Sequence, residues 1–165
     1  MRLFLTGVAS ATLLATAAYA QDTDWGFFED ENGVMQAGVQ SSGGDQLILK
    51  CNEPGDRSVF ALIYTPEALG APSTRASIRD VTLLFDGSTP RDAKWRYYQN
   101  TVEAVNTRRD RALIPFLESL ADASHIEVRL DPVDGARRSI EFDVAGARDA
   151  IGRVYDSCGD QNPLG

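Results

Sequence analysis

Histidine is nearly absent from this chain, with His125 alone in 165 residues, and cysteine stops at two, Cys51 and Cys158. A single imidazole excludes a zinc centre built from several histidines, and no triad partners for it stand out in the pattern. His125 reads as a partly exposed structural residue. No C-x-x-C pair is present, which argues against a thioredoxin-like redox centre. No serine sits in a G-x-S-x-G elbow. Ser42-Gly43-Gly44 lacks the lysine and the following helix of a phosphate loop. Lysine is also scarce, with two against 14 arginines, which reflects composition rather than chemistry. Positive charge is in deficit overall. The chain has 16 basic and 24 acidic residues and a net charge of −8. A protein so charged is repelled by nucleic acid and by anionic membrane surfaces. Beyond residue 20 no apolar run is long enough to span a bilayer. There are no internal repeats, no low-complexity stretch and no internal domain boundary.

What is present begins with a leader pattern. Arg2 supplies a charged start, Leu3 to Ala17 form an apolar stretch, and Ala18-Tyr19-Ala20 fits the small-x-small cleavage rule. Residues 1–20 are therefore expected to be a cleaved signal peptide with Gln21 first in the mature chain. The stretch is shorter than the ~20 residues of a spanning helix, and polar sequence follows at once. There is no twin-arginine pair, and no cysteine near residue 20 to carry a lipid. Residues 21–160 then make one globular domain, followed by a polar tail over 161–165. Export places the protein in the periplasm or outside the cell. There an even cysteine count reads as a structural disulfide, Cys51 to Cys158. Closing a loop of about 100 residues stabilises by about 4–5 kcal/mol on chain-entropy grounds.

Strand signals dominate the first half. Trp25-Gly-Phe-Phe is short and apolar, and Asn32-Gly33 after it is a hairpin signal. Val34 to Gln40 alternates loosely up to the turn Ser41–Asp45. Leu47, Leu49 and Cys51 share one face by alternation. After a turn over Asn52–Asp56, Val59 to Tyr64 is a continuous apolar run, expected to be a central strand buried on both sides. Residues 66–77 hold Pro66, Gly70 and Pro72 and read as a loop with a helical turn at Glu67-Ala-Leu69. Ile78 to Phe85 is the next strand. Trp95, Tyr97, Val102 and Val105 suggest two short strands around Asn100-Thr101.

The second half carries two helices and a hairpin. Leu113, Phe116, Leu117 and Leu120 fall on one helical face, with Asp110 as the expected N-cap and Pro115 near the first turns. Ile126, Val128, Leu130 and then Ile140, Phe142, Val144 alternate around Asp131–Gly135 as a second hairpin. Ala147, Ala150, Ile151, Val154 and Cys158 share the face of a last helix, which turns Cys158 to the core. The fold class is α+β: a mostly antiparallel β sandwich or half-barrel with two amphipathic helices and one disulfide.

Several passages together carry a family resemblance. They are Trp25 soon after the leader, Leu47-Ile-Leu-Lys-Cys51, Phe116-Leu-Glu-Ser-Leu-Ala-Asp-Ala123, Ile126-Glu-Val-Arg129, and Phe142-Asp-Val-Ala-Gly146-Ala-Arg-Asp-Ala-Ile151 through Cys158. In these the chain resembles exported bacterial proteins of the invasion-associated locus B kind and the related accessory proteins of type VI secretion. The resemblance implies a periplasmic or envelope-associated, non-enzymatic protein with one bridge. It brings no catalytic residues with it.

The remaining candidates concern binding. The acidic turns Asp30-Glu-Asn32-Gly33 and Asp131-Pro-Val-Asp134-Gly135 hold oxygen ligands beside glycine, but neither matches a calcium loop, and hairpin turns need the same residues. No metal and no cofactor is expected. With 24 acidic residues, a carboxylate pair at glycosidase spacing would arise by chance. Arg108, Arg109 and Arg111 form a basic cluster and Arg137-Arg138 another, suited to an anion or an acidic partner. Trp95-Arg-Tyr97-Tyr98 mixes aromatics with arginine as binding hot spots do. Alternation buries one of Tyr97 and Tyr98 and exposes the other. The candidate binding surface is thus Trp95, Tyr97, Tyr98, Arg108, Arg109 and Arg111. The expected function is binding of another envelope protein as accessory, adaptor or inhibitor. The alternative is a small-ligand or cell-wall-glycan binder with Trp95, Tyr97 or Tyr98 as a stacking platform.

Overall fold

The computed structural model of the protein describes residues 25–165 apart from Asn32, Pro54, Asp56 and Arg57. The leader expected over 1–20 and the asparagine of the first hairpin signal lie outside the described residues. Nine strands form one antiparallel sheet among the described residues. In chain order they are β1 (Gly26–Glu29), β2 (Met35–Gln40), β3 (Gln46–Lys50), β4 (Phe60–Tyr64), β5 (Ser77–Phe85), β6 (Arg91–Tyr97), β7 (Thr101–Ala104), β8 (His125–Leu130) and β9 (Arg138–Asp143). Helices α1 (Leu113–Leu120) and α2 (Ala147–Cys158) complete the domain.

The spatial order is β1-β2-β3-β4-β7-β6-β5-β8-β9. The outer strands follow the chain as hairpins. The central β5–β6–β7 meander is inserted in reverse, so β4 pairs with β7 and β5 with β8. The loop after β4 therefore crosses the end of the β6–β7 hairpin to reach β5. It is tied down on the way. Thr65 N donates to the Asn100 carbonyl (2.8 Å) and Leu69 N to that of Gln99 (2.7 Å). Leu69 is buried, and no helical turn forms at Glu67–Leu69. The turn is lost because those backbone donors bond across to the hairpin instead of along the chain. Gly70 has φ +74°, and a Cβ there would stand 2.7 Å from Asp134, so this crossing needs glycine.

Among the described residues only one face of the sheet is covered by helices. Alternation sends Leu47, Leu49, Ala61, Ile63, Trp95, Tyr97, Val128 and Ile140 to that face, where all are buried. α2 packs on β2 and β3 through Ile151, Val154 and Tyr155. α1 contributes Leu113, Phe116, Leu117 and Leu120. The expectation that β4 is buried on both sides fails. Ala61 and Ile63 are buried, but Phe60 and Leu62 are only partly so and Tyr64 is exposed. β4 is central in hydrogen bonding, yet among the described residues no helix covers its outer face. Asp110 does not cap α1 either. The N-cap is Ala112, without a side-chain bond, because the Asp110 carboxylate is held by Arg96 (Nε–Oδ2 2.9 Å).

Cys51 follows β3 and Cys158 closes α2. They form a disulfide with a Cα separation of 6.1 Å across 107 positions. At the far edges Trp25 donates its indole N–H to the Val144 carbonyl (3.1 Å), and β2 touches β9. Arg153 on α2 stacks over Phe27 of β1 at 3.5 Å. Leu164 in the tail packs against the core.

Candidate functional site

The β6–β7 hairpin opens early, and this shapes the candidate site. Tyr98 N donates to the Thr101 carbonyl (2.8 Å), and Arg96 lies opposite Glu103. Antiparallel pairs that exchange hydrogen bonds recur every second residue. The even-numbered residues of β6 therefore turn their backbone groups towards β7, and the odd-numbered ones towards β5. Lys94 would next pair with Val105. The ladder stops at Arg96 instead, because β7 ends at Ala104 and the Val105 carbonyl accepts from Leu113 N (3.3 Å) at the start of α1.

The chain between β7 and α1 is a tight turn. Asn106 bridges Arg111. The Thr107 hydroxyl accepts from Arg109 N (3.3 Å) and Asp110 N (3.1 Å), and Thr107 N donates to the Asp110 carbonyl (2.7 Å). This local bonding holds the arginine cluster without help from the core. Between the turn, α1 and β6 lies an open groove of about 450 Å³. Its floor includes Leu83, Phe85, Ala112 and Phe116, and its rim includes Arg91, Lys94, Arg109 and Arg111. Exposed Ile78 also lines it. Lys94 pairs with Asp80 (2.7 Å), and Arg91 bonds the Ser119 hydroxyl (3.1 Å). Arg109 and Arg111 are exposed and have no carboxylate partner among the described residues. The arrangement can take an apolar group and hold an anionic group beside it.

The expected aromatic platform is not at the surface. Trp95 is 1% exposed and meets Phe116 edge-on with ring centroids 5.0 Å apart. Tyr97 is 0% exposed. Its hydroxyl donates to the Asp80 carbonyl (2.9 Å) and accepts from Asp131 N (3.0 Å), and burial pushes its pKa up to about 12. Both rings point to the covered face because residues two apart on β6 share a side, here the one on which Phe116 of α1 packs. Tyr98 alternates to the other side and is partly exposed. Arg108 is exposed on the turn, whereas Arg109 and Arg111 line the groove. Sequence reading did not bring in Arg91, Phe85 or Phe116. They join the site only through the sheet order, and Phe116 carried a core signal alone.

Other polar clusters link elements of the fold. Arg138 reaches Asp45 (3.3 Å) and Glu67 (3.6 Å), tying β9 to the β2–β3 turn and the crossing loop. Asp131 holds Arg79 (2.8 Å), and Asp30 holds Lys50 (3.4 Å). Both expected acidic turns thus spend carboxylates on neighbouring cations. His125 Nδ1 pairs with Asp143 on the exposed side of the β8–β9 hairpin. Among the described residues no group of three or more His, Cys, Asp or Glu could hold a metal ion. A second groove, of about 750 Å³, includes Glu103, Arg96, Tyr155 and Asp160. Burial raises the Glu103 pKa, and Arg96 opposes this only in part.

Fold and groove together define an antiparallel-sheet domain, closed by one disulfide, with a cation-rimmed cleft at its centre. The chain belongs to the YfjT family, whose sequence model matches residues 23–151. That span includes the groove and Cys51 but ends before Cys158. No curated protein and no solved structure matches the chain significantly. Among the described residues no helix is long and apolar enough to cross a membrane.

Proposed function

We propose that this is an exported, non-enzymatic binding domain that engages another envelope protein as accessory, adaptor or inhibitor. The groove between β6 and α1 is its contact surface. One observation carries the reading: an apolar cleft beside two guanidiniums that lack a carboxylate partner among the described residues, on a chain of net charge −8. Arginines set next to apolar pockets are characteristic of binding hot spots. The leader pattern over 1–20 and the Cys51–Cys158 bridge support a location in the periplasm or outside the cell. The resemblance to invasion-associated locus B and type VI accessory proteins supports an envelope role. We also read the sheet as a half-barrel, supported by the Trp25–Val144 bond and the approach of β2 to β9.

The test is site-specific photo-crosslinking in living cells, with the reactive residue at position 108, exposed on the turn beside the groove but not lining it, and a control at position 141 on the uncovered face of β9. One abundant envelope protein captured from 108 and not from 141 is the expected result. Identical products from both positions, or none from 108, overturn the reading.

A further inference from the structure

The opening between β6 and β7 leaves an interior strand edge without a partner among the described residues. Asp92 and Lys94 turn backbone N–H and C=O groups into the groove, and among the described residues no backbone bond reaches them from that side. An unpaired strand edge is a template for one more strand. Extended segments fill such edges, with main-chain bonds giving affinity and alternate side chains giving specificity. We infer that the groove binds an extended, acidic segment of a partner protein by strand addition to β6. This rests on the proposed protein-binding function and specifies its mode and the chemistry of the partner.

The surroundings select that chemistry. An added strand lies about 4.8 Å from β6, and its side chains alternate between two faces. One row meets the apolar floor at Phe85 and Phe116, which suits aliphatic or aromatic residues. Carboxylates on the segment meet Arg109 and Arg111, whose planar guanidiniums bind them with two parallel bonds. A basic segment would meet Arg91, Lys94, Arg109 and Arg111 together. The lining carboxylates against these are Asp92 and Asp110, and Asp110 already holds Arg96.

The probe is a set of acetylated, amidated peptides of about six residues, an ordinary strand length. They alternate apolar positions with glutamate, with serine or with lysine. Binding and amide exchange are read by NMR on the full mature chain. In the free protein the Asp92 and Lys94 amides are expected to exchange fast, and those of Ala93 and Trp95, which face β5, to be protected. The glutamate set is expected to bind and to slow the Asp92 and Lys94 amides by about tenfold or more. Asp92→Pro removes an N–H that faces the groove, spares the β5 ladder and leaves the four rim cations in place. It and the double variant Arg109→Glu/Arg111→Glu each lower affinity by about tenfold or more. Should Asp92→Pro fail to fold, N-methylated peptides make the same test from the ligand side.

The inference is overturned if the glutamate set does not bind, if the serine or lysine set binds equally well, or if binding leaves both amides fast. Dodecanoate binding in the absence of any peptide binding also overturns it and assigns the groove to a small amphiphile. If a partner is cross-linked from position 108 but its contact segment leaves the two amides fast, strand addition fails while the protein-binding function stands. If glutamate peptides bind as expected but nothing is cross-linked in cells, the cellular function fails and the recognition chemistry stands.

Discussion

Replacing both cysteines by alanine isolates what the disulfide contributes. Cys51 and Cys158 are fully buried and 107 positions apart. Chain entropy assigns a loop of that size about 4.7 kcal/mol, acting by restricting the unfolded chain. α2 has its own attachment to the sheet, since Ile151, Val154 and Tyr155 are buried against β2 and β3. Each such side chain contributes about 1.5–3 kcal/mol by burial. The variant is therefore expected to fold with α2 in place and to be much less stable. With a urea slope of about 1.5–2 kcal/mol per molar, the unfolding midpoint falls by about 2–3 M. Urea titration followed by circular dichroism checks this, with near-identical native spectra for the two proteins. A loss below about 1 kcal/mol would refute the entropic reasoning and indicate residual structure in the unbridged unfolded chain. Loss of the α2 signal under native conditions would instead show that helix docking depends on the bridge.

Phe116→Ala removes the ring that packs on Trp95 and Phe85. It should cost about 3–5 kcal/mol in urea unfolding and shift Trp95 fluorescence to the red. Gly70→Ala places a methyl 2.7 Å from Asp134 at φ +74°. It should lower stability by more than about 1 kcal/mol, and limited proteolysis should cut the loop between β4 and β5 faster. Glu103 binds its proton more tightly when folded, because burial raises its pKa above 4.5. Its contribution is favourable below the unfolded value and is lost as pH rises through the folded one. Glu103→Gln should abolish that fall, so the variant gains on the wild type as pH rises above the ordinary carboxylate value of 4.5 in paired urea titrations. A constant difference across that range would contradict the assignment.

Local pattern was enough for most elements, because each rests on short-range physics. Alternation at Leu47–Cys51 and Ile126–Leu130, and the 3.6-residue spacing at Leu113–Leu120, read directly as β3, β8 and α1. The cysteine pair and its inward-facing positions were legible for the same reason. So was the arginine cluster, although nothing local told which of Arg108, Arg109 and Arg111 faces a groove. Three things were decided only by the assembled structure. The reversed insertion of β5–β6–β7 depends on which strands meet across long stretches of chain, and no local periodicity encodes that choice. The covering of one sheet face, set by where α1 and α2 dock, buried Trp95 and Tyr97 and left the outer side of β4 open. The groove itself exists because β7 leaves β6 at Val105 to begin α1, which brings Phe116 and Arg91 beside Arg109. Side-chain chemistry is written in the sequence one residue at a time, but the neighbours that give it a function are set by long-range strand pairing and helix packing.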